Sequence, residues 1–147
     1  MAHVTKYEFM RAVRILGHPV AVISFFLLVL ISGQHFGGFY LLYILMGLPF
    51  GASHAIIAMV SLSLMVFSYK VKSDRSPVLK SMLSFVGSMC MVLALYVFFQ
   101  GSKGYNDSTF QQVVPLASFF FFAVGILCNT ILATRYLIFR RTSQATS

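Results

Sequence analysis

His54 is the residue whose type and setting point most directly to chemistry, because it sits inside a long apolar run where an imidazole is costly unless it is paired. Read at helical spacing, it shares a stripe with Tyr40, Gly47, Gly51, Ala58, Ser61, Met65 and Ser68, while leucines and isoleucines take the other faces. Such a small and polar stripe packs against protein, since small residues let backbones approach and hydroxyls bond across helices. Gly47, Gly51 and Ala58 are therefore expected at close helix contacts. His54 and Ser61 are candidates for a ligand or proton site. The competing reading is a structural histidine bonded to a serine or to a backbone carbonyl. His35 is the second imidazole of interest: if the chain before Pro49 lies at the outer surface, His54 comes close to it, and the two form a proton-sensitive or metal-binding pair.

Two further apolar runs carry polar faces. One has Ser81, Ser84 and Ser88 beside Gly87; the other has Ser118, Gly125, Asn129 and Thr130. A membrane-embedded Asn usually bonds to another helix, so these faces are expected to pair, with Asn129 as an additional candidate site residue and Ser84, Ser88 and Gly125 at the contact. Other chemistries are missing. Glu8, Asp74 and Asp107 are the only acids, and all three fall outside the apolar runs, which disfavours the buried carboxylates of proton-coupled pumps. There is no phosphate-binding glycine loop, no His-Glu metalloprotease helix and no credible Ser-His-Asp set. Cys90 and Cys128 are isolated and read as buried structural thiols.

The elements that must hold these residues follow from hydropathy. Of 147 residues, 59% are hydrophobic, which leaves room for one helical bundle and no separate soluble domain. Four apolar stretches, Pro19–Phe36, Gly38–Tyr69, Leu79–Gln100 and Val113–Phe139, are each long enough for a bilayer core that needs about 20 residues. Cations sort to one side of this pattern: Lys6, Arg11 and Arg14, then Lys70, Lys72, Arg75 and Lys80, then Arg135, Arg140 and Arg141, with only Lys103 opposite. The positive-inside bias puts both termini in the cytoplasm, in a plasma or inner membrane. In this setting the net charge of +8 faces lipid headgroups and excludes nucleic acid as the partner.

Residues 1–17 read as a short cytoplasmic interfacial helix opened by a Thr5–Glu8 capping box, and Gly17-His18-Pro19 turns the chain into a retained first span. The second stretch would run about 48 Å as a straight helix against a core of about 30 Å. It is expected to kink or break at Gly47–Gly51, where proline removes a hydrogen bond. Asn106-Asp107-Ser108 matches a glycosylation sequon in the larger external loop.

The fold expectation is an all-α four-helix membrane bundle. The leading functional expectation is a non-enzymatic subunit that packs against other membrane proteins or itself, in an accessory or scaffold role. The alternative is a small oligomeric transporter or channel for a neutral or anionic solute; the third is a redox subunit binding haem or quinone near His54.

Overall fold

The computed structural model describes the backbone of residues 2–33, 37–71, 76–102 and 106–144, with side chains from 8 to 135 within those segments. The chain forms α1 (Ala2–Leu16), α2 (Pro19–Leu27), β1 (Leu30–Ser32), β2 (Gly37–Phe39), α3 (Tyr40–Gly47), α4 (Ser53–Lys70), α5 (Pro77–Gly101) and α6 (Val113–Gln144). Short 3-10 turns occupy Leu48–Phe50 and Asp107–Gln111. The fold is all-α apart from one small hairpin. Three segments, Ser53–Lys70, Pro77–Gly101 and Val113–Arg135, are helical, long and apolar enough to cross a membrane.

The first apolar stretch departs from expectation. Its helix stops at Leu27, Leu28 turns the chain, and Leu30–Ser32 form a strand instead of a helix that continues to Phe36. Nine helical residues cover about 14 Å and the three of the strand about 10 Å more, so the segment still runs from one end of the bundle to the other. His18 lies edge-on to Tyr69, 5.6 Å between ring centres, at what we call the basic end. Ser32 is bonded to Thr109 at the opposite, hairpin end.

Extended backbone among apolar neighbours needs partners for its polar groups. Antiparallel pairing of Leu30 with Phe39, Ile31 with Gly38 and Ser32 with Gly37 supplies some of them. Side chains supply others: Ser118 Oγ accepts from Leu30 N at 2.9 Å, Thr109 Oγ1 accepts from Ser32 N at 2.9 Å, and Ser108 donates to Ser32 O at 2.6 Å. Asn106 is buried here and Ser108 is engaged, so the sequon residues serve the fold. His35, between the strands, lies outside the described residues.

At the other end α1 starts at Ala2, which puts Thr5 inside the helix and not at its cap. The segment Glu8–Leu16 meets α2 at a bend of 57°, and the bent pair together is long and apolar enough for a broken span or a re-entrant loop. Gly17 is the elbow. A Cβ there would stand 2.7 Å from Asn129 N and from Cys128 C, so only glycine lets the elbow sit this close on α6.

The second stretch is broken where proline and glycine suggest. Leu48–Phe50 tightens into 3-10 geometry and Gly51 takes φ of 65°, a left-handed conformation that residues with a Cβ rarely adopt. Ala52 N donates to Gly47 O at 3.0 Å and Gly51 N to Leu48 O at 3.1 Å, which answers carbonyls freed by the break. Beyond it, Ala55, Ala58, Ser61, Met65 and Ser68 form the buried face of α4, which packs most extensively on α5. Gly87 of α5 makes room for Met65, whose Cγ would lie 3.0 Å from an added Cβ. On α6 the aromatic run divides: Phe120 and Phe121 face outward, whereas Phe122 is buried against Phe26 at 5.7 Å between ring centres.

Candidate functional site

Three polar settings lie along the interior. At the hairpin end, the break between α3 and α4 brings His54 beside Tyr40, with ring centres 6.2 Å apart, and Phe98 of α5 meets both edge-on, at 5.4 Å to Tyr40 and 5.1 Å to His54. One His54 nitrogen is hydrogen-bonded to the Tyr43 backbone. The other, Nε2, is enclosed without a partner, as is the hydroxyl of the fully buried Tyr40. Gly47 closes over this nitrogen: a Cβ on it would lie 3.1 Å from Nε2. His54 thus has one nitrogen engaged and the other walled in, so it offers no open position to a planar cofactor. Among the described residues, no three His, Cys, Asp or Glu side chains cluster as metal ligands.

Midway along the bundle, Asn129 of α6 joins the serine face of α5. Its Oδ1 accepts from Ser84 Oγ at 2.8 Å, and its Nδ2 donates to Ser88 Oγ at 2.6 Å. Every strong polar atom of the amide is therefore used inside the protein, which is what burial demands. Ser61 stands apart from this network and donates to Ala58 O at 2.7 Å. His54 and Asn129, both singled out by sequence, belong to separate sites. Gly125 packs on Phe25 of α2, whose Cδ2 would be 3.0 Å from an added Cβ. Gly51 is exposed with nothing within 4 Å of its would-be Cβ, so its part is the turn and not a helix contact.

The third setting is a cavity of about 440 Å³ at the basic end. It forms because α1 leans on α6 while making little contact with α4 or α5, leaving a gap between the Gly17 elbow and the facing ends of α4 and α5. Arg14 from α1, His18 from the elbow, Ser68 from α4 and Lys80 with Ser81 from α5 line it, and Asn129 forms its floor. Neither Arg14 nor Lys80 pairs with a carboxylate among the described residues. His18 Nδ1 accepts from Val20 N at 3.3 Å, capping α2 and leaving Nε2 to carry the ring proton. Ser76 gives α5 no side-chain cap, so the positive end of this helix also faces the cavity mouth at Pro77. Ser81 is only 5% exposed, and its hydroxyl has no hydrogen-bond partner among the described residues.

Sequence reasoning grouped Arg14 and Lys80 only as juxtamembrane charges and passed over Ser81 as part of a packing face. The available signal was a pair of helix starts, Pro19 and Pro77, each within five residues of a cation on the same side of the hydropathy pattern. What brings these groups together is the glycine elbow, a tertiary contact over 110 residues of sequence. Comparison of this chain with protein-family models, with curated proteins and with solved structures finds no match.

Proposed function

We propose that this chain is an integral membrane protein with four crossings, its termini and the turn after α4 in the cytoplasm, and that it binds an anionic solute in the cavity at its basic end as a small, non-enzymatic carrier. The bent α1–α2 pair continued by β1 would make the first crossing. The observation that carries the reading is the cavity itself: two unpaired cations, an uncapped helix start and an unused hydroxyl converge on one opening, with no described acid to neutralise them. Arg14 is exposed and Lys80 half-buried, and with no carboxylate partner among the described residues both charges are available to an anion entering the cavity.

The leading expectation from sequence, an accessory subunit, drew its support from small-residue faces, very short loops and the absence of acids from the apolar runs. Those faces are occupied within the chain, α4 on α5 and α5 on α6. The apolar side chains left outside, such as Phe67, Tyr96 and Phe120, suit lipid as well as protein. A haem or quinone role near His54 gains nothing from its enclosed Nε2.

Binding is tested by titrating the detergent-purified protein with inorganic phosphate, sulfate and acetate while following its thermal unfolding. Saturable stabilisation that disappears in an Arg14→Gln, Lys80→Gln double variant is expected; equal stabilisation of the variant would refute the site. Orientation is tested separately in a cysteine-free background. Ser102→Cys should react with an impermeant reagent from outside, and Ser143→Cys should not.

A further inference from the structure

Resting on that reading, we infer that the ligand of the basic cavity is a phosphate monoester attached to an apolar group, the chemistry shared by phosphatidic acid and a soluble organic phosphate monoester. Three features select it. The first is donor number: Arg14 supplies a fork suited to two oxygens at once, Lys80 a point charge, Ser81 a free hydroxyl and His18 its Nε2 proton. A phosphate monoester offers these donors three non-bridging oxygens and up to two negative charges, against two oxygens and one charge on a carboxylate.

The second feature is size. At about 440 Å³ the cavity falls in the range of sites for small organic molecules and exceeds what a bare phosphate or sulfate fills, given that one water takes about 30 Å³ of liquid. The third is the wall. Tyr69, Leu132 and Ala133 line the same cavity as the cations, so a bare inorganic anion would leave apolar surface facing trapped water, while the organic part of an ester covers it.

The test compares the two sources on one protein. Wild type and the Arg14→Gln, Lys80→Gln variant are reconstituted in phosphatidylcholine nanodiscs, with phosphatidic acid added in one arm and phenyl phosphate in the other, and bound ligand is counted by native mass spectrometry. An Arg11→Gln variant, altered outside the cavity, controls for general attraction to anionic lipid. The expectation is about one ligand bound saturably in at least one arm, reduced tenfold or more in the double variant and unchanged in Arg11→Gln. Retention of phosphatidic acid in competition with phenyl phosphate identifies a lipid ligand, and the reverse a soluble ester. If phosphate and sulfate stabilise the protein but neither ester binds, the ester assignment fails while anion binding stands. If Arg11→Gln loses as much ligand as the double variant, the attraction is diffuse and the ester assignment fails.

Discussion

At the hairpin end, Tyr40, Tyr43, His54 and Phe98 fill the interior with rings and enclose two polar atoms that have no partner. At the basic end, Arg14, Lys80 and Ser81 also carry polar atoms without partners among the described residues, but around open space. The same deficit has different meanings in the two places. In a sealed cluster an unmet hydroxyl is a cost carried by packing around it, and nothing larger than a water can relieve it. In an open cavity the same deficit is available to a ligand. Volume therefore governs the first region and charge the second.

The sharpest way to break that contrast is to remove volume at the hairpin end. Phe98→Ala takes the ring that Tyr40, Tyr43 and His54 all contact, and should cost about 3–5 kcal/mol by thermal unfolding in a mild detergent. A loss below about 1 kcal/mol would mean the ring cluster is not what holds this end. Next is Gly17→Ala, which drives a methyl into the backbone of α6 and should cost about 2–3 kcal/mol while also weakening ligand binding, because the elbow forms one wall of the cavity. Unchanged binding in that variant would separate the elbow from the site.

Asn129→Leu should cost about 1–2 kcal/mol, the range expected for hydrogen bonds between helices in a membrane, since it strands the hydroxyls of Ser84 and Ser88. The smallest effects sharpen the comparison most. Tyr40→Phe deletes a hydroxyl that bonds to nothing and should leave stability within about 0.5 kcal/mol or raise it slightly. Lys80→Gln should likewise leave unfolding within about 0.5 kcal/mol yet impair anion binding. If Tyr40→Phe proves strongly destabilising, the hydroxyl has a partner and the two ends are less different than drawn.

Much of the framework was legible because it rests on long-period signals. Helices α4, α5 and α6 follow from uninterrupted apolar runs bounded by cations and by Ser76-Pro77, and the break before α4 from Gly47-Leu48-Pro49-Phe50-Gly51. The pairing of Asn129 with the serine face of α5 follows from the expense of an isolated amide among apolar residues. The early end of α2 was not legible, since Leu28 to Ile31 are as apolar in a strand as in a helix and hydropathy carries no sign of backbone conformation. What stops the helix is distant: Ser118, Ser108 and Thr109 meet the extended backbone from 76 to 88 residues away. The cavity was hidden for the same reason, because Arg14 and Lys80 converge only once Gly17 docks on α6.

The extensive seam between α4 and α5 has a consequence for how the chain assembles. These two helices are joined by a turn of a few residues, so closing them costs little loop entropy, and they can pair as soon as α5 has left the ribosome. Ser84 and Ser88 are then already aligned on a finished surface when α6 is synthesised. Asn129 arrives last, and its amide acts as a latch that admits α6 in one register, after which the elbow at Gly17 has a backbone to rest on.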